Sequence, residues 1–154
     1  MEWHFTSHSP QETQRLGALL GSLARKGDVF LLVGQLGAGK TCLVQGIAWG
    51  LGIQEYVRSP SFVLVGQYQG RLPLYHVDLY RLERVPEIAD LGLEEYFEGG
   101  RVSVVEWADR ATELMPAEHL LVNLEVLSEE ERRIKLTSAG ERYHALVQAV
   151  ADAI

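Results

Sequence analysis

Residues 34–41 read Gly-Gln-Leu-Gly-Ala-Gly-Lys-Thr and fill every fixed position of the pattern G-x-x-x-x-G-K-[ST]. The flanks match as well. Asp28-Val29-Phe30-Leu31-Leu32-Val33 is a short continuous apolar run, the mark of a strand buried on both faces of a parallel sheet. Gly34 ends that run, and from Lys40 to Trp49 the spacing is helical, with Gly50 and Gly52 to close the helix. In such a strand–loop–helix unit, successive backbone N–H groups curl around a phosphate while the positive end of the helix faces it. The pattern places Lys40, exposed in the loop, on β- and γ-oxygens and the Thr41 hydroxyl on Mg²⁺. Cys42, one residue further on, reads as a packing residue.

The rest of the chain supplies a sheet for that unit. Trp3 and Phe5 alternate with Glu2, His4 and Thr6, the period of a half-buried strand. Ser9-Pro10-Gln11-Glu12 reads as a capping box opening a helix whose stripe is Leu16, Leu19, Leu20 and Leu23, with Gly27 as its left-handed stop. Phe62–Tyr68 and Leu72–Val77 flank the turn-prone Gln69-Gly70-Arg71 and predict a hairpin. Pro86–Phe97 predicts one helix stopped by Gly99-Gly100, and Val102–Trp107 predicts a second buried strand. Leu120–Leu127 and Arg133–Thr137 predict an antiparallel pair across a charged turn that includes Arg132, followed by a tail helix over 141–153. Buried strands alternating with crossover helices predict an α/β domain of three layers.

At 154 residues, 47% hydrophobic and 23% charged, the chain has the makings of one compact domain, 1–154, and no room for a second. Fourteen basic side chains against twenty-one acidic ones give a net charge of −7, which disfavours unaided binding to nucleic acid or an acidic membrane. One cysteine, Cys42, excludes an intramolecular disulfide and a cysteine-based metal site. A cytoplasmic protein is expected: the opening MEWHFTSHSPQE lacks the charged-then-apolar pattern of a signal, and no stretch nears the roughly 18 apolar residues of a spanning helix.

Phosphoryl chemistry on Mg²⁺ also needs a carboxylate at the end of a neighbouring strand, where the crevice of an open α/β sheet lies. Asp78 ends Leu74-Tyr75-His76-Val77-Asp78, and Glu106 ends Val102-Ser103-Val104-Val105-Glu106. One can hold the metal and the other orient water; their order stays open. His76 shares a strand face with Asp78 but reads first as a structural histidine. Trp107 reads as packing before nucleotide contact. Ser61, in Ser59-Pro60-Ser61-Phe62, is either a switch hydroxyl for the metal or part of a plain turn. Arg58, Arg71, Arg81 and Arg84 crowd the same stretch and together could meet phosphate or an acidic partner.

The Asn-Lys-x-Asp segment that reads guanine is absent, since Asn123 is the only asparagine, so ATP is favoured over GTP. A small-metabolite P-loop kinase is the rival enzyme reading. It requires an arginine-bearing lid, and the last third shows none. A nucleotide-gated adaptor is the binding-class alternative.

The segments LLVGQLGAGKTCLVQGIAWGLG, VRSPSFVLVGQY, LYHVDLYRL, EIADLGLEEYF and VSVVEWADR, in this order and spacing, resemble the TsaE (YjeE) ATPases over about residues 28–110. The resemblance implies a P-loop NTPase fold whose mixed central sheet includes antiparallel hairpin strands. It implies a Mg²⁺-dependent ATPase needed for threonylcarbamoyladenosine in tRNAs that read ANN codons. That family works with TsaB and TsaD after TsaC makes the activated intermediate, so tRNA is met only through the complex. Carried over by position, Lys40 is the phosphate lysine, in a nucleotide cradle of Gly37, Ala38, Gly39, Lys40, Thr41 and Cys42. Lys40, Asp78 and Glu106 are the catalytic set; Thr41, Ser61, Asp78 and Glu106 are the metal set. Ser61 stands where the family usually has threonine and keeps the hydroxyl, and Cys42 replaces a common second threonine.

Overall fold

The structure, a computed structural model, describes residues 1–60 and 65–154. Along the chain run β1 (Glu2–Ser7), α1 (Pro10–Leu23), β2 (Val29–Gly34), α2 (Lys40–Gly50), β3 (Val65–Tyr68), β4 (Leu74–Asp78), α3 (Val85–Ala89), α4 (Leu93–Phe97), β5 (Val102–Glu106), a 3₁₀ segment (Ala108–Leu114), β6 (His119–Val126), β7 (Arg132–Ala139) and α5 (Glu141–Ala153). The strands form one seven-stranded mixed sheet in the order β1-β7-β6-β2-β5-β4-β3. Its centre, β6-β2-β5-β4, is parallel, while β1, β7 and β3 join antiparallel. The fold is α/β.

The continuous apolar run of β2 has a plain cause, because both faces of the strand are covered. Phe30 and Leu32 enter a cluster with Leu16, Leu20, Leu43, Ile47 and Leu146 from α1, α2 and α5. Val29 and Leu31 enter a second cluster with Ile88, Leu93 and Ala108. The start of β2 is also pinned by α5: Val29 N–H donates to Tyr143 Oη at 2.9 Å, and Arg142 pairs with Asp28 at 2.7 Å. None of the helices is long and apolar enough to cross a membrane, among the described residues.

Glycines set the approach of α1 to α2. A Cβ on Gly46 would stand 2.1 Å from the Gln14 carbonyl oxygen, and one on Gly50 would stand 2.1 Å from that of Ala18. These contacts are backbone on backbone, so the helices must separate to admit a methyl group. Gly46→Ala is therefore expected to cost roughly 1–3 kcal/mol, the range for overpacking a close-packed core. A thermal melt should show it as a fall of several degrees; an unchanged melt would mean that the helices part freely.

Several local expectations are corrected. Ser9 caps α1 by accepting from Glu12 N–H at 3.1 Å, but Glu12 reaches back to His8 N–H at 2.8 Å rather than to Ser9. Helix α1 ends at Leu23 and not at Gly27, because the Arg71 guanidinium takes its last carbonyls, Gly21 at 2.8 Å and Ala24 at 3.1 Å. Gly27, at φ +88°, instead shapes the turn into β2, where its N–H donates to Arg101 O. The helix expected over Pro86–Phe97 is two helices, parted at Gly92 by a φ of +66° that stops helix propagation. The second buried strand ends at Glu106, and Trp107 leaves it in the left-handed region at φ +61°. The hairpin pairs Val65–Tyr68 with Leu74–Val77; the Phe62–Leu64 part of the expectation lies outside the described residues.

Candidate phosphate-binding site

Where β2 hands over to α2 the backbone is tightly constrained. A Cβ on Gly34 would meet Leu124 O at 2.6 Å, so the chain passes against β6 with no space for a side chain. Gly37 and Gly39 adopt φ +79° and +98°, which only glycine takes without strain. Ala38 N–H closes a turn on Gln35 O at 3.0 Å, and the first bond of α2 runs from Leu43 N–H to Gly39 O at 2.9 Å. The amides of Lys40, Thr41 and Cys42 precede that bond and have no acceptor within the helix.

Lys40 is not exposed as its place in a loop suggested; only 4% of it is accessible. Its Nζ donates to Gly34 O at 2.6 Å and Gln35 O at 2.8 Å and sits 4.0 Å above the centre of the Trp107 ring. Burial draws its pKa below the ordinary lysine range, while the charges of Glu106, Asp78 and Asp109 pull it back upward. The left-handed turn at Trp107 is what swings the indole beneath the ammonium.

The parallel register sets Asp78 beside Glu106 and Glu106 beside Leu32, so both carboxylates stand at the strand ends nearest the loop. The Thr41 hydroxyl lies 3.1 Å from each Glu106 carboxylate oxygen and donates to them. His76, fully buried, bonds through Nε2 to Glu106 Oε2, and its buried Nδ1 has no hydrogen-bond partner among the described residues. A carboxylate can only accept, so Nε2 carries the hydrogen of this bond. His76 thus braces Glu106. Asp78 Oδ2 accepts from the Ser59 hydroxyl at 2.6 Å and Oδ1 from Tyr80 N–H at 2.9 Å.

These groups converge on a cleft of about 460 Å³ lined by Gly37, Gly39, Lys40, Thr41, Cys42, Ser59, Asp78, Tyr80, Arg81, Glu106 and Trp107, with Leu36 at its rim. One wall carries an ammonium and helix-start amides, suited to phosphate; the other carries a hydroxyl and two carboxylates, an oxygen set suited to a hard divalent cation. Among the described residues no three His, Cys, Asp or Glu side chains form a metal cluster. The hydroxyl of Thr41 and the carboxylates of Asp78 and Glu106 are oxygen donors of the kind Mg²⁺ takes alongside substrate phosphates.

The other expected residues divide. Ser61 lies outside the described residues. Cys42 lines the cleft, yet its thiol faces Pro10 O at 3.4 Å and burial pushes its pKa up, so any part in the cradle falls to its backbone amide. The four arginines do not gather. Arg81 lines the cleft, whereas Arg71 caps α1, Arg58 lies 5.6 Å from the Tyr56 ring, and exposed Arg84 precedes α3. Trp107 is framed by Tyr80, with ring centres 5.0 Å apart, and by the Arg110 guanidinium at 5.3 Å.

Two contributors had no distinguishing mark in the sequence. Ser59, read only as part of a turn, holds Asp78. Arg132, read as part of a charged turn, donates from Nε to Ala38 O at 3.1 Å and from Nη2 to Gly37 O at 3.2 Å, across more than ninety residues of chain. Only the β6–β2 pairing, which brings the β6–β7 turn to the loop, could have revealed it.

Comparison with known proteins identifies the family and the fold. The family model described as Threonylcarbamoyl adenosine biosynthesis protein TsaE matches residues 7–134. The chain is 45% identical over 141 residues to the tRNA threonylcarbamoyladenosine biosynthesis protein TsaE of Bacillus subtilis, covering 91% of this chain and 88% of that protein. It is 44% identical over 128 residues to the protein of the same name in Treponema pallidum, covering 83% and 95%. The crystal structure of Bacillus subtilis YdiB superposes with a TM-score of 0.88 at 38% identity, covering 99% of this chain and 96% of that one. With its cleft built from the same strand–loop–helix unit that the sequence announced, and with relatives aligned over nearly its whole length, the chain belongs to the TsaE family.

Proposed function

We propose that this chain is a cytoplasmic, single-domain ATPase of the three-layer P-loop NTPase type, acting in tRNA threonylcarbamoyladenosine synthesis with TsaB and TsaD. The observation that carries the ATPase reading is the Thr41 hydroxyl seated on the Glu106 carboxylate, at the foot of the helix whose first residue is Lys40. Thr41 and Glu106 would hold Mg²⁺ together with Asp78, and the family resemblance adds Ser61 to that set; when bound with ATP, the ion would offset charge on the phosphate oxygens.

The chain's own residues divide the remaining work. The amides of Gly39, Lys40, Thr41 and Cys42 bind the phosphates, and Lys40 neutralises the charge that grows on the oxygen bridging the β- and γ-phosphorus atoms. Asp78, its carboxylate oriented by Ser59 and the Tyr80 amide, directs a water molecule at the γ-phosphorus. The new bond joins that water oxygen to phosphorus, the bridging P–O bond breaks, and ADP and inorganic phosphate leave with the water's proton released. His76 keeps the Glu106 carboxylate from turning away.

The partners rest on family membership and on charge. A chain of net charge −7 offers little hold on a phosphate backbone, so tRNA is met through the complex. Hydrolysis then serves a conformational cycle rather than group transfer to a metabolite. The test is ATP turnover and filter-bound tRNA for the chain alone, then with cognate TsaB and TsaD. Slow turnover alone that rises with the partners, and weak tRNA binding alone, are expected. Tight tRNA binding by the lone chain, or turnover indifferent to both partners, would defeat the proposal; phosphate appearing on an added metabolite would favour a kinase.

A further inference from the structure

Arg132 lies behind the phosphate loop. It is absent from the lining of the cleft and instead borders a small hollow of about 80 Å³ with Pro10, Thr13 and Cys42. It cannot act there as an arginine that touches the transferred phosphate. What it touches is backbone: Gly37 O and Ala38 O on one side, and on the other, through Nη1, the carbonyls of Ser128 at 2.8 Å, Glu129 at 3.2 Å and Glu131 at 2.9 Å.

A trans peptide unit is planar, with its C=O and N–H pointing in opposite directions. A donor that holds Gly37 O on the far side of the loop therefore turns Ala38 N–H inward, where it is found on Gln35 O at 3.0 Å. By the same geometry, holding Ala38 O on the far side turns the Gly39 N–H away from Arg132. Gly37 and Gly39 have positive φ and no side chains to steady them, so the orientation of these two peptide planes is set from outside. The guanidinium also places its positive charge at the carbonyl ends of both peptide dipoles, which strengthens their N–H ends as donors.

The clamp has a rigid base. The β6–β7 turn is closed by Leu127 N–H on Glu131 O at 3.0 Å and by Ser128 Oγ on the Glu131 carboxylate at 3.1 Å. The other oxygen of that carboxylate meets His8 Nδ1 at 2.9 Å, tying the turn to the start of α1. We propose that Arg132 is a positioning residue for nucleotide phosphates, fixing the Gly37–Ala38 and Ala38–Gly39 peptide planes so that the loop presents a preformed set of amides. The inference rests on the reading of this loop as a phosphate site.

The test compares ADP, ATP and adenosine binding to the full-length chain by calorimetry, for wild type, Arg132→Met and Arg132→Lys, alongside thermal melts. Arg132→Met is expected to weaken ADP and ATP by roughly ten- to a hundredfold, the scale on which misplaced binding groups act, and to leave adenosine unchanged. Arg132→Lys retains the charge but not the planar fork, so it should recover only part of the loss. At saturating ATP, turnover should fall less than turnover per KM. Equal affinities for ADP in wild type and Arg132→Met would overturn the proposal. So would parallel losses for ADP and adenosine, or failure of both variants to fold, either of which would make Arg132 a stability residue. A wild-type chain that binds neither ADP nor ATP would instead sink the phosphate-site reading itself.

Discussion

Lys40→Ala is expected to bring ATP turnover below about a thousandth of the wild-type rate, with the chain still folded. The size follows from position: a preorganised cation at a charge that grows in the transition state is worth at least as much as an oxyanion-hole donor, about 10²–10³ in rate, and the lysine serves two phosphates at once. Folding should survive because two effects oppose each other. The variant forfeits the bonds from Nζ to Gly34 O and Gln35 O, but it also relieves the burial that pulls the lysine's pKa down. The loop keeps its shape from Gly37, Gly39 and Arg132, none of which the substitution touches. Steady-state hydrolysis and a thermal melt on the same sample check both halves. Full activity would remove the lysine from phosphate chemistry, and a collapsed melt would make it a folding residue. Lys40→Arg should fail too, because a planar guanidinium cannot occupy the space between two carbonyls and an indole ring that a compact ammonium fills.

How far the sequence reached depends on the range over which each feature is decided. The strand–loop–helix unit is local, and a continuous apolar run, glycines and a helical stripe within about twenty residues specify it. The two carboxylates were legible because buried strands end where their apolar runs end, and Asp78 and Glu106 mark those ends. Their placement side by side was not legible, since it depends on β4 and β5 being neighbours in the sheet, which no local pattern states. The same holds for His76. Its alternation with Asp78 is visible, but the partner that gives it a role lies on another strand. Arg71 shows the converse: read alone as a solvated surface charge, and with its neighbours as a contact for phosphate or an acidic partner, it spends its guanidinium on the carbonyls of Gly21 and Ala24 at the end of α1. Trp107 and Gly92 were missed for a backbone reason, because a left-handed residue interrupts an element without altering its hydrophobic pattern.

Glu106→Gln is the substitution that best separates chemistry from architecture at this site. Glutamine has the length to keep both contacts: its carbonyl oxygen can accept from His76 Nε2–H, and its amide N–H can donate to the Thr41 hydroxyl, which then turns from donor to acceptor. The variant also removes a carboxylate that is 2% exposed, which relieves a buried charge, but with it goes the negative charge that favours the Lys40 ammonium, so the two effects oppose each other. Thermal stability should consequently change little. Activity, by contrast, should fall, because a neutral amide is a poor ligand for the hard cation that would offset charge at the reacting phosphate. Turnover is expected to fall by roughly 10²-fold or more, in line with the loss of a group acting on the transition state. ADP binding without magnesium should stay within about a factor of three of wild type, since the amides and Lys40 are intact, while the gain in affinity on adding magnesium should largely vanish. A folded, nucleotide-binding, inactive protein is the signature of a carboxylate kept for function. If Glu106→Gln instead lowered the melting temperature and lost magnesium-free ADP binding together, Glu106 would be holding the loop in shape, and the metal would have to be sought at Asp78.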